Sequence, residues 1–193
     1  LEHAAVTPSL SLVRPDSPAE RLAELFAGND HWHGTHGEPE WEPSKSKWGI
    51  RSTARTLAGC ANPDMWQAHL DGDKPLGVVP ARLDEEGRTV CRWGCGDIDD
   101  YTVNIIEIAQ KVRQLGYPLV PCQSKSNGIH LFLFLRDWEE TAAVQNALRD
   151  MLASMGHADA EIFPKQKRLE EERDKGSWIL MPHFGGDYGG HLA

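Results

Sequence analysis

The chain has 193 residues and a formal charge of -9 at pH 7, and 40% of its residues are hydrophobic. That apolar share suffices for an ordinary globular core and excludes a disordered chain. The acidic balance excludes a protein that coats nucleic acid by bulk electrostatics, which needs clustered Lys and Arg. No apolar run reaches the roughly 20 residues of a membrane span and no signal-peptide pattern opens the chain, so a soluble, cytoplasmic protein without a membrane partner is expected. Because the chain opens on Leu1 rather than Met, a longer parent protein is expected. Cys60, Cys91, Cys95 and Cys122 lack the paired spacing of a disulfide framework, so reduced thiols are expected.

Ser17-Pro18 followed by Glu20, Leu22, Leu25 and Phe26 predicts an N-capped helix with Pro at its first position, stopped by Gly28. Residues 29–49, rich in His, Gly, Glu, Pro and Trp, show no periodicity and read as a long polar loop. A short helix is expected from Asn62-Pro63 to about Gly72. Leu76–Leu83 and Arg88–Asp97 are apolar, β-branched runs joined by Asp84-Glu85-Glu86-Gly87, a hairpin signal. Ile105, Ile108, Ala109, Val112 and Leu115 recur at helical spacing, with Gly116 as C-cap. Tyr117–Cys122 and Ile129–Leu135 read as strands, the second apolar on both faces. Val144, Leu148, Met151, Leu152 and Met155 predict a helix ending at Gly156, and Glu161–Pro164 a last short strand.

From Val90 to Pro164 the order is therefore strand, helix, strand, strand, helix, strand. This is an α+β arrangement, the ferredoxin-like or RRM-like split βαβ unit, preceded by an N-terminal α/β extension. The extension is placed at residues 1–75 and the core at 76–193, the two forming one compact unit. Right-handed crossovers give the spatial order 4-1-3-2, antiparallel throughout. That order brings the C-terminal end of the first strand beside the starts of the third and fourth. Asp97, Asp99, His130 and Glu161 sit at those ends, and side-chain parity puts Asp97 with Asp99, and Glu161 with Phe163 and Lys165.

Carboxylates this close repel unless a cation or proton compensates them, and such hard oxygen ligands suit Mg²⁺ or Mn²⁺. Asp-x-Asp alone is more commonly a surface turn. A third acid arriving from a distant strand makes the metal reading the stronger one. Gln123 to His130 joins two strands, and its small residues, Ser124, Ser126 and Gly128, together with Lys125 and His130, suit an anion such as phosphate. An ordinary polar hairpin, with His130 as a core histidine, is the alternative. Asp100 is expected to cap the following helix. Cys91 and Cys95 share parity with Trp93 and are expected to pack beneath the site, while Gly94 and Gly96 face the other way and admit a helix.

"GDID" after a hairpin, "SKSNGIHLFLF", and "EIFPKQ" followed by "GSWILMPHFGG" resemble the successive motifs of the archaeo-eukaryotic primase superfamily, in particular the primase-polymerases of phages, plasmids and conflict systems. "LFAGNDHWHG" and "HLDGDKPLGVVPA" are similar to that group's lead-in, so the resemblance runs from about Leu25 onward. It implies a DNA-templated nucleotidyl transferase acting on nucleoside triphosphates and a single-stranded DNA template, together with a fused or associated helicase or priming domain. Asp97, Asp99 and Glu161 would hold two divalent ions, Ser124 and His130 would grip the triphosphate, and Lys165 would be a second phosphate contact. The chain departs from the pattern in carrying Glu161 where many relatives have Asp, with Asp159 as an alternative, and around His31, His33 and His36.

Lys47, Trp48, Arg51 and Arg55, with Lys45 and Trp41, combine charge and aromatic rings in a way that suits tracking a single strand; tryptophan packing is the alternative. His31, His33 and His36 lack a fourth zinc ligand at the expected spacing. Two other function classes remain open: a two-metal nuclease or phosphohydrolase using the same carboxylates, and an RNA-recognition-type binding module. The module would want exposed aromatics where "NGIHLFLFL" has a histidine and a two-faced apolar run.

Overall fold

The computed structural model describes residues 17–37, 40–41, 50–51, 53–100, 102–124, 128–171 and 173–186, with the backbone alone at 40, 41, 50 and 51. Helix α1 (Pro18–Leu25) starts as predicted. Ser17 Oγ accepts from the Glu20 amide at 3.2 Å, and the Glu20 carboxylate accepts from the Ser17 amide at 2.6 Å, a reciprocal cap. The expected polar loop contains a strand instead, β1 (Trp32–His36), and two further short strands, β2 (Glu40–Trp41) and β3 (Ile50–Arg51), pair with each other. Next come β4 (Ala54–Ala58), which pairs with β1, and α2 (Pro63–Leu70), whose Asn62 cap accepts from the Met65 amide at 3.0 Å.

The single run expected at Leu76–Leu83 is split into β5 (Gly77–Val78) and β6 (Arg82–Leu83). Pro80 lies between them; it has no amide to donate to a ladder, and the two halves join different sheets. The remaining elements are β7 (Thr89–Ile98), α3 (Ile105–Leu115), β8 (Leu119–Gln123), β9 (Ile129–Glu140), α4 (Thr141–Ser154), β10 (Glu161–Phe163) and β11 (Ile179–Leu180). Among the described residues no helix is long and apolar enough to cross a membrane.

The fold is α+β. The main sheet runs β10-β7-β9-β8, all pairs antiparallel, with β6 also on β7, so the strand order inferred from periodicity and right-handed crossovers is the one observed. On one face Ile98, Leu131 and Leu133 pack with Ile108 and Val112 of α3 and Val144, Leu148 and Leu152 of α4. On the other, Trp93, Cys95, Phe132 and Phe163 meet Phe26, Trp66 and Val78, which belong to the N-terminal part and the second sheet. That second sheet, β11-β5-β1-β4, joins strands from both sides of residue 75. Trp178 lies against Gly34 and Gly77, where a side chain would occupy the space of its ring, and its Nε1 donates to Thr56 Oγ1 at 3.2 Å.

Gly94 and Gly96 face α4, as expected. A Cβ on Gly94 would stand 2.7 Å from Leu148 Cδ1 and 2.9 Å from the Phe163 carbonyl oxygen, and the latter, being backbone, has little room to give. Gly94→Val is therefore expected to cost about 2–3 kcal/mol, read as a lower urea midpoint with an unchanged slope. The expectation for Cys91 is corrected. Cys91 pairs with Glu139 but Trp93 with Phe134, and this register shift turns Cys91 to the α3–α4 side, leaving Cys95 alone of the two beneath the site.

Candidate active site

Three strands deliver the site. Asp97, the penultimate residue of β7, is the cross-strand partner of His130 on β9 and of Glu161 on β10. Cross-strand partners present their side chains on the same face, here the face of Cys95, Phe132 and Phe163. Asp159 lies in the turn two residues before β10, so of the two candidate third acids Glu161 is the one in register with Asp97.

The Asp97 carboxyl is raised to about 6, first by burial and then by the charges of Asp99 and Glu161, with Lys165 opposing them. Its Oδ1 is buried without a hydrogen-bond partner. His130 Nε2 approaches that oxygen at 3.5 Å, too far for a good hydrogen bond. The His130 side chain is 9% exposed, and burial lowers its pKa to about 4. At neutral pH the pair is thus a carboxylate facing a neutral imidazole rather than an ion pair. Glu161 is half-exposed, and its Oε1 accepts from Lys165 Nζ at 2.6 Å; Lys165 in turn sits 4.8 Å from the Phe163 ring centroid. Among the described residues no three His, Cys, Asp or Glu side chains already stand close enough to share an ion.

Asp99 is exposed just beyond β7 and meets the β8–β9 link at Gly128. A Cβ on Gly128 would stand 2.7 Å from the Ile98 carbonyl, 3.1 Å from Ser124 Oγ and 3.6 Å from Asp99 Oδ1. The link closes on itself: the Ser124 amide donates to the Gly128 carbonyl at 2.9 Å, and Gln123 Nε2 donates to the same oxygen at 3.1 Å. Gly128, counted in sequence reasoning only among the small residues of an anion loop, thus lies where a side chain would crowd both Ser124 and the end of β7. Gly128→Ala is expected to cost about 1–2 kcal/mol of stability, measured by thermal melts.

Lys125 and Ser126 lie outside the described residues, as do Lys47 and Trp48, and Arg51 is described by its backbone alone. Arg55 is exposed on β4, the edge of the second sheet. The cap expected at Asp100 is corrected: Asn104 caps α3, its Oδ1 accepting from the Ile106 amide at 2.8 Å. Asp100 instead accepts from the Thr102 amide at 2.9 Å and hydroxyl at 2.7 Å, turning the chain before the helix. His33 is buried, with Nδ1 2.8 Å from the Gly59 carbonyl oxygen. The buried thiols stay protonated, Cys91 pushed up to about 12 and Cys122 to about 11 by burial, and all four cysteines are free.

Sequence reasoning missed two buried polar residues that tie separate segments together, and the first of them holds the backbone at Lys165. Gln145 on α4 is buried, and its Nε2 donates to the carbonyls of Pro164 at 2.7 Å and Lys165 at 3.1 Å. His69 on α2 accepts from the Leu76 amide and donates to the Pro182 carbonyl, both at 2.9 Å, tying α2 to the C-terminal segment. Each is a polar residue amid apolar helical positions, which is the one signal the sequence offered.

A scan against protein-family models matches none, and a search of curated proteins finds no match either.

Proposed function

We propose that the chain is a DNA-templated nucleotidyl transferase of the primase-polymerase type, whose site is the carboxylate cluster at the end of β7. The observation that carries this reading is the convergence of Asp97 with Glu161 and His130 from three strands around a buried carboxylate oxygen that has no partner. Such an arrangement is deficient in positive charge, and its hard oxygen donors fit Mg²⁺ or Mn²⁺. Asp97, Asp99 and Glu161 would hold the ions. When bound there, divalent ions would supply positive charge to polarise the α-phosphate and offset the charge that develops on the attacking and leaving oxygens.

The rest belongs to the chain's own groups. His130, neutral at physiological pH, offers a ring N–H to a phosphate oxygen without adding charge. Ser124 offers a hydroxyl, held by the closed Ser124–Gly128 link. Lys165 is the cation nearest Glu161 that is suited to the triphosphate. Trp93, Phe132 and Phe26 beneath them are tightly packed and keep the strand ends rigid, which is what positioning a phosphate for in-line attack requires.

An RNA-recognition-type module needs an open sheet face for stacking, and here Phe132 and Phe134 of that face stack edge-on against Phe26 at 5.2 and 5.1 Å. The test is incorporation of labelled nucleotides on single-stranded DNA, with and without an annealed primer, in Mg²⁺ and in Mn²⁺. Template-dependent extension is the expected result. Shortening of the DNA would make the site a nuclease, and neither outcome in a folded protein would leave it a binding module.

A further inference from the structure

Lys165 does more than await a phosphate, because it already pairs with Glu161. Its Nζ lies 2.6 Å from Glu161 Oε1 and over the Phe163 ring, and its charge reaches Asp97. The backbone around it is anchored. Gln145 Nε2 holds the carbonyls of Pro164 and Lys165, while Gln166 Oε1 accepts from the Ser177 amide at 2.9 Å and Gln166 Nε2 donates to Ser177 Oγ at 2.8 Å. With both neighbours fixed, the movable part of this segment is the Lys165 side chain, which is 40% exposed.

We propose that Lys165 is an exchangeable counter-ion: it holds Glu161 in the metal-free protein, yields Glu161 to a divalent cation, and is thereby released towards the nucleoside triphosphate that arrives with that cation. This rests on the nucleotidyl-transfer reading of the same site. A second independent feature marks the place as one built for a ligand: Asp97 Oδ1 is buried without a hydrogen-bond partner, and the His130 imidazole that faces it, 9% exposed, stands 3.5 Å away. The exchange couples two bindings. A triphosphate that attracts Lys165 frees Glu161 for metal, and a metal that takes Glu161 frees Lys165 for triphosphate, so each tightens the other by the same factor. Lys165 is in this sense a positioning residue for Glu161 before it is a ligand to substrate.

The test is titration of the purified protein with Mn²⁺, read from the electron-paramagnetic-resonance signal of the free ion. It is run alone and then with a non-hydrolysable deoxynucleoside triphosphate analogue, after subtraction of the analogue's own Mn²⁺ binding. Without nucleotide, Lys165→Gln is expected to bind Mn²⁺ about two- to fivefold more tightly than the wild type, the strength of an exposed ion pair. It is expected to gain less than the wild type when the analogue is added, and Lys165→Arg, which keeps the ion pair, to behave as the wild type in the first titration. A residue that merely supported the fold would move the affinity the other way. If Lys165→Gln binds Mn²⁺ no more tightly than the wild type, the exchange is overturned and the transferase reading stands. If neither protein binds Mn²⁺ with or without analogue, both fall together.

Discussion

Replacing Asp97 with asparagine is expected to make the metal-free protein more stable and, by the same change, to abolish Mn²⁺ binding and nucleotide incorporation. Asparagine preserves the shape and removes the charge that burial, Asp99 and Glu161 oppose. The Asp97 carboxyl sits at about 6 in the folded protein against an ordinary value of 3.8, so the fold binds that proton more tightly than the unfolded chain does. The protonated form's contribution to stability is fully present below about pH 4 and is lost as pH rises through about 6. A shift of that size corresponds to about 2–3 kcal/mol, and for a chain of this length to roughly 4–12 °C in Tm.

Melting wild type and Asp97→Asn in chelator from pH 4 to 7 isolates the effect, since groups common to both cancel in the difference. The two curves are expected to converge near pH 4 and to separate in favour of the variant above pH 6. Added Mn²⁺ is expected to raise the wild type alone. A variant that melts lower at pH 7 would mean that the Asp97 charge is compensated within the fold and that the site is not deficient in positive charge. Incorporation is expected to fall by about 10³-fold or more, as for removal of a group that stabilises developing charge.

The main sheet was legible because its signals are local. Alternating apolar residues in β7 and β9, the 3.6-residue period of α3 and α4, and the rule of right-handed crossovers together fix which strand ends meet, and so bring Asp97, His130 and Glu161 together. Glycine parity placed α4 over Gly94 and Gly96 for the same reason. The second sheet was illegible because its burial is supplied from afar. Trp-His-Gly-Thr-His has no apolar alternation, yet His33, Gly34 and Thr35 are buried, and Gly34 is flat enough to receive Trp178 from 144 positions later. Strand propensity reflects what covers the strand, and here the cover comes from the other end of the chain.

The same reasoning explains the errors around the site. The Asp100 side chain competes for local backbone donors two residues on, as Asn104 does, and only the geometry decides which of them begins the helix. Parity counting assigned Cys91 to the wrong face because a bulge is a change of count that residue types do not announce. Gly128 reads in sequence as one of the small residues of an anion-binding link, whereas in the fold it makes a close approach to the Ile98 carbonyl from a neighbouring strand.

Trp93→Ala is expected to be the most destabilising single change argued here, at about 3–5 kcal/mol, or roughly 6–20 °C in Tm. Trp93 is fully buried at the centre of the face that carries Asp97, with its ring edge-on to Phe26 at 5.3 Å and its Nε1 donating to the Ala27 carbonyl at 3.0 Å. Truncation leaves a large void between α1 and the main sheet and removes the donor from that carbonyl. Trp93→Phe keeps most of the volume but not the donor, and is expected to cost about 1–3 kcal/mol. The pair separates stability from chemistry: both variants retain Asp97, His130 and Glu161, so incorporation measured well below each variant's own Tm is expected to stay within about threefold of wild type. A Trp93→Phe protein that is stable at the assay temperature yet inactive would show that the ring positions the strand end directly. The packing beneath the carboxylates would then be part of the catalytic apparatus rather than its support.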